Sequence, residues 1–319
     1  MVTNSRILNL EPEGYSPKAR AVLERLGQVD DGPMNRAELL DRICEYDVMI
    51  VRLGHRIDAQ VMEAAQRLKT IVTATTGLNH IDMNEAQGRG ITVLSLQGER
   101  AFLDNIHATA EHTWALLLAL LRKLPQAHRH VLSGGWDRDR FKGSELHGRI
   151  LGIIGLGRLG TKVAGYGAAF GMRVMGYESN RAHPMLANVE HMNLDQVLSQ
   201  SDVISLHVNY FPENHAMISR KDLSRMKPGA VLINTSRGEL VDESALLKAL
   251  ESGRLGGAAL DVLCGEYAGW EASEGLLEYA RKHDNLILTP HVGGCTFDSM
   301  EMTEVFMAEK LIRHLKRET

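Results

Sequence analysis

Residues 150–178 restrict the fold of this 319-residue chain more than any other stretch. The apolar run Ile150-Leu151-Gly152-Ile153-Ile154 reads as a buried strand. Glycines follow at Gly155, Gly157 and Gly160. Residues 161–170 then predict a helix, and residues 173–177 a second strand. Strand, glycine-rich turn, helix and strand make a crossover unit that joins two parallel strands. The spacing G-x-G-x-x-G gives each glycine a task. Gly155 permits the tight turn, Gly157 lets backbone approach a pyrophosphate, and Gly160 lets helix and strand pack closely. The helix N-terminus offers unpaired N–H groups and partial positive charge to phosphates. Arg158 and Leu159 stand at the same turn as further contacts. Glu178 lies 18 residues beyond Gly160, at the end of the next strand. Its carboxylate is placed to accept hydrogen bonds from ribose hydroxyls and to repel a 2′-phosphate, which favours NAD over NADP. Arg181 leaves some use of NADP open. The bland alternatives are a ligand-free βα turn and a surface glutamate.

The same alternation runs along most of the chain. Residues 48–51, 70–74 and 91–94 predict strands, and residues 59–68 and 83–89 helices. A longer helix spans 108–124 and stops at Pro125, which cannot continue it. Beyond the glycine turn, residues 203–207, 230–234, 258–262 and 285–289 predict further strands. An amphipathic helix over 297–315 closes the series. Two α/β series imply parallel sheets with helices on both faces. The last helix is left over; its return to the first series would make that domain discontinuous.

Composition excludes several classes. A net charge of −4 gives no general attraction to nucleic acid or to an anionic membrane. Cys44, Cys264 and Cys295 make no disulfide framework and fit a reducing compartment. No charged start followed by an apolar stretch marks a signal peptide. The longest apolar run, 114–121, is too short to span a bilayer. The expectation is a cytoplasmic protein with no membrane partner, no nucleic-acid partner and no metal site.

Four blocks carry a resemblance. They are 151–160 (LGIIGLGRLG), 226–238 (MKPGAVLINTSRG), 259–262 (ALDV) and 288–294 (LTPHVGG). In this order and spacing, the stretch 148–294 resembles the D-isomer-specific 2-hydroxyacid dehydrogenase family, which includes phosphoglycerate, glycerate and formate dehydrogenases. Residues 70–120 resemble it more loosely, and the first 45 hardly at all. The resemblance implies two doubly wound parallel-sheet domains with a cleft between them. One is a Rossmann NAD-binding domain at 104–292. The other is a flavodoxin-like substrate domain made of 1–103 and 293–319. It also implies a homodimer that moves a hydride between NAD and a small, anionic 2-hydroxy or 2-oxo acid.

The family pattern assigns Arg237, Glu266 and His291 to catalysis. Chemistry supports each assignment. Arg237 and His291 both follow strands, where open α/β sheets place ligands. A guanidinium holds a carboxylate by two parallel hydrogen bonds and polarises the neighbouring carbonyl. Hydride transfer between alcohol and ketone must be matched by proton transfer at oxygen, and imidazole titrates in the right range. Glu266 would hydrogen-bond His291 and fix its tautomer. Tyr267 follows Glu266 where the family usually has proline, and Glu271 and Glu274 are rivals. Glu266 stands five residues after Asp261, the spacing the family uses. Against these stand a loop-capping arginine and a satisfied structural histidine.

Further cofactor contacts implied by the resemblance are His207, Val208, Thr235, Ser236, Asp261 and Gly293. Asp261 reads either as a neighbour of the nicotinamide carboxamide or as a cap at a strand end. Asn209 replaces the family's usual proline. On the substrate side, the loops Arg52-Leu53-Gly54 and Thr76-Gly77 would hold a carboxylate through backbone N–H groups; either glycine could instead serve an ordinary turn. The segment from Gly98 to Glu111 is about five residues longer than usual in the family. There, Arg100 could meet a phosphate, phosphonate or second carboxylate, and Phe102 could close over it. Packing for stability is the even-handed alternative. Packing also suits Cys264 and Cys295 better than redox sensing. Two other functions compete: an inactive NAD-sensing or interaction protein, and an NAD enzyme that hydrolyses through transient oxidation.

Overall fold

The computed structural model describes residues 5–180, 186–266 and 273–318. Arg181, Tyr267 and Glu271 lie outside the described residues. The chain forms two compact units, 1–106 with 295–319, and 107–294. The seams fall at 106/107 and 294/295, where the expectation put them at 103/104 and 292/293.

The first unit holds a five-stranded sheet. Its strands are β1 (Ser5–Asn9), β2 (Gly27–Asp31), β3 (Val48–Val51), β4 (Thr70–Thr73) and β5 (Thr92–Leu94). They lie in the order β2-β1-β3-β4-β5, all parallel. This is the flavodoxin-like order. Every residue of β3 is buried, as expected of a strand covered on both faces. Neither β1 nor β2 is among the strands expected from the sequence. β2 is a polar edge strand, Gly-Gln-Val-Asp-Asp, with one buried side chain, so it shows no apolar run. The closing helix, Phe297–Glu318, belongs to this unit. Its Met307, Ala308 and Leu311 share one core with Ile7, Leu23 and Val72.

The second unit holds seven parallel strands. They are β6 (Ile150–Ile154), β7 (Arg173–Tyr177), β8 (Glu190–His191), β9 (Val203–Leu206), β10 (Ala230–Asn234), β11 (Leu255–Leu260) and β12 (Leu286–Leu288). The order is β12-β11-β10-β9-β6-β7-β8. The strand order reverses between β6 and β9, the position where dinucleotides bind in sheets of this kind. Two local expectations are corrected. Pro125 does not simply end a helix. The helix Ala108–Leu121 stops first, Lys123 takes a left-handed backbone (φ 51°), and Pro125 sits in the first turn of a new helix, Leu124–Leu132. There its missing N–H costs nothing. The helix after the glycine turn begins at Arg158, directly after Gly157, rather than at 161. Among the described residues, no helix is long and apolar enough to cross a membrane.

Candidate active site

The glycine turn is built as its spacing requires. Gly155 has φ 94°, and a Cβ there would lie 2.4 Å from the His207 carbonyl oxygen, so only glycine fits where β6 meets β9. A Cβ on Gly160 would lie 1.9 Å from the Gly155 carbonyl oxygen, so the helix can touch the strand only without a side chain. Gly157 differs, because a Cβ there would project into open space. That space lies at the N-terminus of the helix Arg158–Ala169, whose cap supplies no side-chain hydrogen bond. An uncapped twelve-residue helix facing open space suits a pyrophosphate. Half-buried Glu178 accepts the Leu156 N–H at 2.9 Å and the Asn180 N–H at 2.9 Å. This pins the carboxylate to the glycine turn, as ribose recognition would need. These residues fit NAD.

Other expected cofactor contacts are already engaged within the unit. The Thr235 hydroxyl is buried and lies 2.7 Å from the Thr113 hydroxyl. The Ser236 hydroxyl donates to the Leu206 carbonyl at 2.7 Å. Half-buried Val208 packs against Gly155. His207 Nε2 lies 2.8 Å from the Ser205 hydroxyl, while Nδ1 is buried with no hydrogen-bond partner. Burial pushes the His207 imidazole down to about 3. A histidine held neutral in the fold but free to protonate in the unfolded chain makes stability fall with acid. The loss begins near the ordinary histidine value, about 6.5, and continues down to about 3. We expect wild type to lose up to about 1.4 kcal/mol per pH unit over that range relative to His207→Gln. Urea denaturation of both proteins from pH 4 to 8 measures it. Parallel curves would refute the assignment.

The three expected catalytic residues follow the carboxyl ends of three adjacent strands. Arg237 follows β10, Glu266 follows β11 and His291 follows β12. His291 Nδ1 lies 2.6 Å from Glu266 Oε1, and both side chains are largely buried (22% and 12% exposed). A carboxylate only accepts, so Nδ1 carries the proton and Nε2 is left to meet a ligand. The Arg237 guanidinium is half-buried and donates to the Ser236 carbonyl at 2.6 Å. Its own carbonyl accepts from Asn234 Nδ2 at 2.8 Å, which fixes the loop. Gly238 keeps that loop against the one carrying Glu266: a Cβ would fall 2.2 Å from Cys264 N. Glu274, a rival to Glu266, begins the separate helix Glu274–Lys282.

Asp261 is 1% exposed and surrounded by donors. Oδ1 accepts from the Thr289 hydroxyl (2.6 Å), the Val292 N–H (2.9 Å) and His112 Nε2 (3.1 Å). Oδ2 accepts the Gly293 N–H at 2.8 Å. Burial pushes this carboxyl up, but the bonds from His112, Thr289 and Val292 outweigh burial and hold it below the usual carboxylate range. Its geometry is that of a cap that organises the turn after β12. Gly293 belongs to the same arrangement, since a Cβ there would lie 2.9 Å from Asp261 Oδ2. The sequence reading missed His112, which has no motif around it.

On the first unit, the Arg52-Leu53-Gly54 loop does hold a carboxylate, but it belongs to the chain. The Arg52 N–H donates to Glu11 Oε1 at 2.8 Å, and the Gly54 N–H to Glu11 Oε2 at 3.1 Å. The Arg52 guanidinium donates to the carbonyls of Glu11 (3.1 Å) and Glu13 (2.7 Å). These donors are thus engaged within the chain. Leu53 is half-buried, Thr76 is exposed, and the Gly77 carbonyl accepts from Thr75 Oγ1 at 2.8 Å.

The long segment after Gly98 packs on the closing helix. Glu99 pairs with Lys310 at 2.6 Å, and the Phe102 ring stacks on Phe306 with centroids 4.0 Å apart. Leu103 and Ile106 are buried. Phe102 is therefore a packing residue rather than a cover; Arg100 beside it is exposed. Burial, with Glu239 and Glu243 nearby, pushes the Cys264 thiol up, which disfavours the reactive thiolate. Cys295 is exposed.

Known proteins agree with this architecture. Residues 114–293 match the family model described as the D-isomer specific 2-hydroxyacid dehydrogenase, NAD binding domain. A D-3-phosphoglycerate dehydrogenase of Archaeoglobus fulgidus is 37% identical over 285 residues, covering 89% of this chain and 52% of that protein. The chain thus spans about half the length of the phosphoglycerate dehydrogenases it matches. A glyoxylate reductase of Thermofilum pendens is 36% identical over 295 residues, covering 90% of this chain and 84% of that protein. Among solved structures, a D-lactate dehydrogenase from Aquifex aeolicus, complexed with NAD and lactic acid, superposes with a TM-score of 0.84. It is 29% identical, with 98% of this chain and 95% of that one covered. The fold, the strand-end residues and these matches lead to one conclusion: the chain belongs to the D-isomer specific 2-hydroxyacid dehydrogenase family.

Proposed function

We propose that the protein is an NAD-dependent oxidoreductase that interconverts a small D-2-hydroxy acid and its 2-oxo acid. The 2.6 Å pairing of His291 Nδ1 with Glu266, at the strand end next to the Asp261 cap, carries this reading. A binding module would need no such acid–base pair. NAD, when bound, accepts or supplies the hydride. Arg237 pairs with the substrate carboxylate and draws charge from the adjacent carbonyl oxygen. His291 Nε2 gives a proton to that oxygen in reduction and takes one from the hydroxyl in oxidation. Glu266 accepts the hydrogen bond from Nδ1–H, keeps the ring oriented and stabilises the imidazolium that oxidation leaves.

Glu11 already fills the N–H groups of Arg52 and Gly54. In this reading those N–H groups are not spare for an anion, the substrate carboxylate is taken by Arg237, and a small acid with one anionic group is favoured. The glyoxylate reductase and lactate dehydrogenase relatives are named for small acids of the favoured kind. The test follows NADH absorbance with glyoxylate, pyruvate and a phosphorylated 2-oxo acid. We expect turnover with the two small acids to exceed turnover with the phosphorylated one. Preference for the phosphorylated acid would overturn the substrate assignment. No oxidation with any of them, in a protein that still binds NADH, would favour an NAD sensor.

A further inference from the structure

His291 has φ 54°, a left-handed backbone that a residue with a side chain rarely adopts. Such strain persists only where the surroundings impose it. Here they do so through consecutive N–H groups. The His291 N–H is shared between the carbonyls of Asp261 (2.8 Å) and Thr289 (3.0 Å). The next two N–H groups, of Val292 and Gly293, both point at the Asp261 carboxylate. That carboxylate is almost fully buried, so it keeps its charge only while its donors stay in place.

One donor comes from a different element. His112 projects from the helix Ala108–Leu121, 149 positions before Asp261. Its Nε2 lies 3.1 Å from Asp261 Oδ1 and 3.1 Å from Thr289 Oγ1. Because the carboxylate only accepts, Nε2 must carry a proton. The next residue, Thr113, meets Thr235 two residues before Arg237. Two neighbouring side chains of one helix therefore tie down the loop after β10 and the turn after β12.

We infer that His112 is a positioning residue that locks the Asp261 carboxylate and, through it, the left-handed turn holding His291 against Glu266. Among the described residues no hydrogen bond joins it to Glu266 or His291; it acts through Asp261 and Thr289. The inference rests on the acid–base reading of His291, and two matched variants separate the two. His112→Gln can place an amide donor near the Nε2 position. His112→Asn, one methylene shorter, cannot.

The first readout needs no turnover. A proton shared between His291 Nδ1 and Glu266 gives a far-downfield ¹H NMR signal, assigned by its loss in His291→Ala. We expect His112→Gln to keep this signal and His112→Asn to broaden or lose it. The second readout is kcat for glyoxylate with NADH. We expect a fall of about 10- to 100-fold in His112→Asn, since a displacement of about 1 Å can cost that much. KM for NADH should stay within about threefold of wild type. In a His291→Ala background, His112→Asn should produce no further fall, because the residue it positions is gone. An unchanged NMR signal in His112→Asn would overturn the inference. So would an equal fall in kcat with and without His291. Near-normal kcat in His291→Ala alone would instead overturn the acid–base reading.

Discussion

His291→Ala is expected to lower kcat for 2-oxo acid reduction by about 10³-fold while NADH still binds. General acid–base catalysis by a positioned side chain is worth about 10²–10⁴-fold, and this group is well positioned. Glu266 holds Nδ1 at 2.6 Å, and the turn beneath the ring is clamped by Asp261. The glycine turn follows β6, four strands from β12 in the strand order, so the substitution leaves it untouched. Single-turnover absorbance and NADH fluorescence titration separate the two effects. Turnover within a few-fold of wild type would remove His291 from the chemistry. Equal loss of NADH binding would mean that the turn serves the cofactor instead.

Arg237→Met is expected to be nearly as severe. It should lower kcat/KM for the oxo acid by about 10²–10³-fold, the usual loss when one preorganised electrostatic contact to the developing charge is removed. Both kcat and KM should move, because the guanidinium would grip the carboxylate in the ground state and polarise the carbonyl in the transition state. Arg237→Lys restores the charge but not the planar fork and should recover only part of the loss. The loop itself should survive, since Asn234 Nδ2 holds the residue by its carbonyl and not its side chain. Steady-state kinetics of the three proteins decide the matter. A lysine variant equal to wild type would reduce Arg237 to a general positive charge. A methionine variant equal to wild type would make it a loop cap.

The two functional assignments differ in how their residues were legible. Gly155, Gly157 and Gly160 are readable because their spacing is local, a turn, an approach and a contact within six residues, although the His207 carbonyl that also excludes a Cβ at Gly155 comes from the end of β9. Strands β6 and β10 are readable because burial on both faces demands nearly unbroken apolar runs. β2 fails that test, as a polar edge strand with a single buried side chain. Arg237, Glu266 and His291 are legible only through motif resemblance, and nothing in the spacing between them requires the 2.6 Å pairing of Glu266 with His291.

Sequence by itself therefore determined the α/β class, the glycine turn and the strand-end positions of Arg237 and His291. These follow from backbone sterics and from periodic burial, which act over a few residues. Tertiary structure alone decided which polar groups satisfy one another. It placed Glu11 in the Arg52–Gly54 loop, laid Phe102 on Phe306 and set His112 on Asp261. Buried charges and donors must find partners wherever the fold brings one within about 3 Å, and that distance bears no relation to separation along the chain.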